Sequence, residues 1–147
     1  MPKLVSAMPP IQKRPLGSEA VTEGIRVHVE PAFLDSHSDI DRGNFTFAYK
    51  IRLTNEGAMA ARLVGRFWRI VDANGHESVV EGPGVVGQHP HLGPGENFEY
   101  SSFCPLKTAW GTMEGHFTFE LADGETFHAT VARFYLACPE ARTVSRP

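Results

Sequence analysis

Three glycines, Gly82, Gly84 and Gly87, have the spacing most suggestive of chemistry in this chain. They form the G-x-G-x-x-G pattern of dinucleotide-binding proteins, in which glycines bring a helix N-terminus onto a pyrophosphate. A strand-like segment precedes them, but the following residues 88–94 contain two prolines and cannot form a helix. A dinucleotide fold is therefore excluded. Two interpretations remain: an anion-binding nest of backbone N–H groups, or a sharp loop that needs glycine for its backbone angles.

Two arginines on an earlier predicted strand, Arg62 and Arg66, could supply positive charge to such a nest. Residues four apart in a strand share a face, whereas Arg69 has the opposite parity and points to the other face. The anion hypothesis therefore joins Arg62 and Arg66 to the three glycines. Its ligand would be a nucleotide or pyrophosphate, with or without a bound divalent cation.

Two histidines in the same stretch, His89 and His91, have a spacing that suits metal binding. In an extended segment residues i and i+2 face the same way, and Pro90 between them favours an extended backbone. Two ligands do not complete a site, and exposed histidines are common. The hypothesis is therefore limited to weak binding of a divalent cation, and no cofactor is assigned.

Catalytic machinery is not recognisable in the sequence. Ser101, Ser102 and Cys104 lack a nucleophile-elbow context, and no histidine or acid can be assigned to them by spacing. The sequence therefore predicts a protein that is not an enzyme.

An adjacent aromatic pair, Phe67 and Trp68, suggests recognition of a protein partner. Neighbours in a strand point to opposite faces, so one ring belongs to the core and the other covers the second face or stays exposed. Exposed aromatic rings beside a loop are typical of recognition surfaces. Phe67, Trp68, Val85 and Val86 form the predicted partner surface, and the alternative is that both rings lie buried beneath loops.

The elements that would position these residues are strands. Alternation of apolar and polar residues, broken by Gly, Pro and Asx turns, predicts seven or eight antiparallel strands and no helix, with Pro31 interrupting the first. The main segments are 25–29, 45–55, 62–72, 76–81, 98–102, 115–121 and 126–136. This pattern is typical of an all-β, immunoglobulin- or fibronectin-III-like two-sheet β-sandwich with Trp68 as its central aromatic residue, and a small barrel is the alternative.

Length and composition set the remaining expectations. The 147 residues fit one domain, predicted as residues 21–138 between a flexible N-terminal arm at 1–20 and a C-terminal tail at 139–147. A net charge of −3 argues against nucleic-acid binding. No apolar run is long enough for a membrane span or a secretory signal, so a cytoplasmic protein is expected. Because the cytosol is reducing, Cys104 and Cys138 are expected to be unpaired thiols. Edge strands could support a homodimer.

Several motifs together resemble the ApaG family, over roughly residues 20–138. They are the segments 49–55, 66–75, 80–87, 90–102 and 111–115, which read YKIRLTN, RFWRIVDANG, VEGPGVVG, PHLGPGENFEYSS and GTMEG. The resemblance implies a fibronectin-III-like sandwich without established catalytic residues. It implies a cytoplasmic bacterial protein linked to cobalt tolerance and magnesium efflux, so the divalent cation of the metal hypothesis would be Co²⁺ or Mg²⁺. A similar domain in eukaryotic F-box proteins and in a polymerase-delta-interacting protein looks like a partner-binding module.

The chain departs from the family pattern at two places. The family usually has histidine where Phe67 stands, and its members do not share the histidines of the Gln88–His91 segment. A metal site built on His89 and His91 would therefore be particular to this chain.

Overall fold

The computed structural model describes residues 16–139 and contains nine antiparallel strands in two sheets. They are β1 (Ser18–Thr22), β2 (Ile25–Phe33), β3 (Phe45–Asn55), β4 (Ala61–Asp72), β5 (Glu77–Pro83), β6 (His91–Leu92), β7 (Asn97–Leu106), β8 (Trp110–Leu121) and β9 (Thr126–Ala137). The only helical elements in this part are two 3₁₀ turns, Asp35–His37 and Ile40–Arg42. The predicted all-β, two-sheet class is confirmed, with β1 and β6 as strands that the sequence did not indicate.

The first sheet has the order β1-β2-β3-β7. Glu23 and Gly24, both with positive φ, form the two-residue turn between β1 and β2. Because hydrogen bonding alternates between the two sides of a strand, the odd residues of β2 bond towards β1. The β1–β2 pairing extends only to Val29, which lies opposite Ser18 at the start of β1, so the missing N–H of Pro31 costs no ladder bond. The prediction that Pro31 interrupts the strand is therefore wrong.

The second sheet has the order β5-β4-β8-β9, and β6 pairs with the same edge of β4 as β5 does. Register shifts interrupt the β4–β8 pairing between Leu63 and Gly65 and the β8–β9 pairing between Met113 and Gly115. Such bulges reverse which side chains face inward from that point on. The first of them determines where the predicted arginines lie.

The core lies between the sheets and takes alternate residues from each long strand. Trp68 is 3% exposed and its indole meets the rings of Tyr49, Phe117 and Phe134, so its predicted position as central aromatic is confirmed. The other large side chains that are fully buried are Phe47, Phe119, Ile25, Ile51, Leu53, Leu63, Met113 and Leu136.

The two sheets join along one side and separate along the other. Tyr135 N–H donates to Leu16 O, and the Ser18 hydroxyl donates to Ala132 O at 2.7 Å, so β1 lies against β9. On the opposite side β5 and β7 are the terminal strands of their sheets. The structure is therefore a sandwich with two free edges rather than a closed barrel.

The predicted domain limits differ slightly from the limits of regular structure. β1 begins at Ser18, within the segment 1–20 that the sequence assigns to an arm, and β9 ends at Ala137. Residues 1–15 of the predicted arm and 140–147 of the predicted tail lie outside the described residues. No disulfide joins Cys104 to Cys138. Within residues 16–139, no helix has the length and apolar character of a membrane span.

Candidate functional site

The glycine-rich loop, residues 84–90, leaves the sheet between β5 and β6. Both ends are tied to β4 at its bulge, since Gly84 N–H donates to Val64 O at 3.1 Å and Leu63 N–H donates to Pro90 O at 2.9 Å. β5 and β6 occupy successive parts of one β4 edge, so the residues between them must project outward. The loop is therefore a fixed excursion from a rigid strand.

Within the loop, residues 85–88 form a short hairpin. Val85 and Gln88 exchange backbone hydrogen bonds of 2.9 and 2.7 Å, and the turn residues Val86 and Gly87 have φ of 40° and 78°. This is the two-residue turn with positive φ at both positions that suits hairpins. Val85 is completely buried, whereas Val86 at the tip is 53% exposed. The hairpin is thus anchored by one valine and presents the other.

Val86 is strained as well as exposed. A positive φ is uncommon outside glycine and is unfavourable for a β-branched residue. The cost, about 1–3 kcal/mol, is compatible with folding only because surrounding contacts fix the conformation. Strain of this kind concentrates at functional positions, which makes the tip a candidate contact point.

The glycine at the base of the hairpin should tolerate substitution poorly, and we expect Gly84→Ala to lower the free energy of unfolding by about 2 kcal/mol. Gly84 has φ of 59°, and a Cβ there would collide with Gln88 O and approach the His89 ring to 3.1 Å. Gly87→Ala is the matched control, because Gly87 has φ of 78° but open space around it, and about 1 kcal/mol is expected. Urea unfolding of both variants measures the difference, and equal losses would contradict the steric explanation.

The two predicted arginines do not share a face. Arg62 lies opposite the exposed Glu120 on the outer face, whereas Arg66, beyond the bulge, lies opposite the buried Phe117 on the inner face. The prediction that they point the same way is wrong, because one extra residue in the strand inverts the alternation.

Both guanidinium groups donate to loop carbonyls. Arg62 Nη1 donates to His89 O at 3.1 Å, and Arg66 Nη1 donates to the carbonyls of Pro83 and Gly84 at 3.0 and 3.1 Å. The Arg66 guanidinium lies against Gly82, where a Cβ would come within 3.1–3.3 Å of it. Gly82 therefore makes room for the arginine, and the arginines brace the loop backbone.

The remaining predicted residues are dispersed. His89 and His91 are exposed, His89 beside Gly84 and His91 on β6 opposite Arg62. In the described part of the chain no cluster of three histidine, cysteine or acidic side chains is placed to hold a metal. Trp68 and Val85 lie in the core and have no surface for a partner, whereas Phe67 is half-buried and Val86 is exposed.

Phe67 belongs to a ring stack that the sequence did not reveal. Its ring stacks on His116 at 5.1 Å between centroids, and His116 stacks on His128 at 3.9 Å. The three residues lie on the outer face of the second sheet, on β4, β8 and β9. Burial, and secondarily His128, lowers the pKa of His116, with Glu81 acting in the opposite direction. Only the strand pairing could have indicated this cluster.

The buried groups with acid–base or nucleophilic chemistry are held protonated. Burial raises the pKa of the Cys104 thiol to about 11, and it raises the pKa of the Tyr49 and Tyr100 hydroxyls. The Tyr100 hydroxyl is buried and has no hydrogen-bond partner among residues 16–139. These three groups are therefore poor nucleophiles near neutral pH.

β5 completes the surface around the loop. Every residue of β5 is exposed or half-exposed, including the apolar Val79 at 53% and Val80 at 39%. The strand runs directly into Gly84, so the exposed edge and the hairpin tip form one continuous segment of chain. The candidate site is this segment, the β5 edge with Val86.

Comparison with known proteins gives a consistent result. The family model described as the ApaG domain matches residues 35–121. The chain is 52% identical over 122 residues to Protein ApaG of Anaeromyxobacter dehalogenans strain 2CP-C, covering 83% of this chain and 96% of the relative. It is 48% identical to Protein ApaG of Methylobacterium sp. strain 4-46, covering 86% and 97%.

A solved structure supports the same relationship. The crystal structure described as an ApaA protein from Bordetella pertussis superimposes with a TM-score of 0.76 at 40% identity, covering 86% of this chain and 99% of that one. Sequence and fold agree over nearly the whole of each relative. The chain therefore belongs to the ApaG family.

Proposed function

We propose that this protein is a non-catalytic binding module that recognises a protein partner through the β5 edge and the hairpin tip at Val86. The supporting observation is the continuous exposure of β5 and the strained, exposed valine that follows it. Solvent-exposed apolar side chains on a rigid frame are suited to binding. The link to cobalt tolerance and magnesium efflux that the family resemblance implies would then act through that partner.

The hypothesis of a pyrophosphate or nucleotide sensor has less support. It needs arginine donors and loop N–H groups that converge on an anion. Arg62 and Arg66 instead donate to loop carbonyls from opposite faces of β4, and the N–H groups of Gly84, Val85 and Gln88 bond within the sheet and hairpin. An anion would have to compete with these contacts.

Site-specific photocrosslinking in cells tests the proposed function. A benzophenone amino acid in place of Val79 or Val86 is expected to give a discrete protein adduct. The same group in place of Val21 is the control, since Val21 is a similarly exposed valine at 48% but lies on β1, at the opposite side of the sandwich. Adducts that are absent from positions 79 and 86, or identical at position 21, would reject this surface.

A further inference from the structure

β5 is a terminal strand of the second sheet, so one edge of its backbone faces away from β4. We propose that the partner contributes an extended, basic segment that adds to β5 as a further strand of the second sheet. This inference rests on the proposed function, and it specifies the chemistry of the partner. It follows from the hydrogen-bond parity of β5 and from the charges along it.

The hydrogen bonds at the two ends of β5 show which of its residues bond to β4 and which face the open edge. Asp72 N–H donates to His76 O, and Gly84 N–H donates to Val64 O, so even-numbered residues of this segment bond to β4. Bonded and non-bonded pairs alternate in an antiparallel ladder. The N–H and C=O groups of Glu77, Val79 and Glu81 therefore point away from β4, towards the open edge. They are the groups that strand addition would pair.

The side chains of the same three residues lie on the outer face of the sheet. Val79 pairs with Arg69 and Glu81 pairs with Phe67 in the β4–β5 register. The Glu77 carboxylate is neutralised by Arg69, whose Nε lies 2.7 Å from Glu77 Oε2. No ion pair is found for Glu81 in the described part of the chain. On an added strand, the residue opposite Glu81 is therefore expected to be basic. The residue opposite Val79, two positions away, is expected to be apolar.

The charges also disfavour a second copy of this chain as the occupant. Glu77 is already paired with Arg69, but two copies would still bring both Glu81 carboxylates onto one face of a joined sheet, and β5 has no cation to offset them. Charged side chains on edge strands commonly prevent such self-pairing. A basic strand would satisfy the same edge that repels its own copy.

The probe is a synthetic peptide of about nine residues built from lysine, valine and threonine. One lysine and one valine stand two residues apart, to meet Glu81 and Val79. A matched peptide carries glutamate for each lysine. The basic peptide is expected to bind about tenfold more tightly than the acidic one. By NMR hydrogen exchange it should newly protect the amides of Glu77, Val79 and Glu81, and leave those of Ser78 and Val80 unchanged.

Three variants test the backbone and charge contributions separately. Val79→Pro removes an outward N–H without touching the β4 ladder and should abolish peptide binding, whereas Val79→Ala keeps the N–H and should retain most of it. Glu81→Lys should reverse the preference, so that the acidic peptide binds about tenfold more tightly. The charge reversal decides the question even if the proline variant fails to fold.

The outcomes separate this inference from the proposed function. Absence of peptide binding, protection of even-numbered amides, or an unchanged preference in Glu81→Lys would overturn strand addition. If crosslinks at positions 79 and 86 persist in that case, the partner surface stands and only its chemistry is wrong. If sedimentation shows a dimer and Val79→Pro converts it to a monomer, the edge binds a second copy of this chain. That result would also overturn the inference.

Discussion

Trp68→Ala is expected to lower the free energy of unfolding by about 4 kcal/mol, the largest loss among the substitutions considered. The indole is 3% exposed and meets Tyr49 at 5.4 Å and Phe117 and Phe134 at 5.8 Å between ring centroids, each edge-on. Truncation removes a large buried apolar surface and three aromatic contacts. It leaves a cavity that two hydrogen-bonded sheets cannot close.

The second tryptophan provides a matched control. Trp110 begins β8 and is 49% exposed, so Trp110→Ala should change stability by no more than about 0.5 kcal/mol. Urea unfolding followed by circular dichroism measures both variants. Equal effects, or a loss below about 1 kcal/mol for Trp68→Ala, would show that the core is not organised around this ring.

The sequence predicted the elements whose residues alternate cleanly. β3 is the clearest, since Phe45, Phe47, Tyr49, Ile51 and Leu53 face inward as expected. Alternation with period two arises when one face of a strand is buried, and a long central strand has one face buried along most of its length. β1 and β6 were missed because they are short and border an edge or a loop, where burial leaves little pattern.

Features of the candidate site depended on pairing and escaped prediction. The bulge between Leu63 and Gly65 moved Arg66 to the inner face, and a bulge is a property of two strands rather than one. The hairpin at 85–88 was hidden because its turn places a valine at positive φ. The stack of Phe67, His116 and His128 needs three strands side by side. What the sequence did locate was the stretch of chain in which the site lies.

Asn55 connects the core to β6, where the chain returns from the glycine-rich loop, and Asn55→Ala is expected to lower the free energy of unfolding by about 3 kcal/mol. Asn55 is 1% exposed. Its Nδ2 donates to the carbonyls of Met59 and Leu92 at 2.8 and 2.9 Å, and its Oδ1 accepts from Gly57 N–H at 2.9 Å. Truncation leaves two carbonyls and one amide without their partner, at a cost for each that is still buried.

The position of these partners gives the substitution a second, local effect. Leu92 lies in β6, where the chain returns from the glycine-rich loop, and Met59 lies in the connection before β4. Losing the link should loosen β6, so we expect faster amide exchange at Leu63, whose N–H bonds to Pro90 O. Urea unfolding and hydrogen exchange together measure the global and local changes.

Asn97→Ala is the control for this substitution, because Asn97 is exposed at the start of β7 and a change within about 0.5 kcal/mol is expected there. Asn55→Asp separates the donor role from the loss of volume. It keeps an acceptor for Gly57 but turns a carboxylate towards the Met59 and Leu92 carbonyls, so it should destabilise at least as much as alanine at neutral pH. If Asn55→Asp hardly changed the free energy of unfolding, the two carbonyls would have found other donors. β6 would then be held to β4 by its ladder alone.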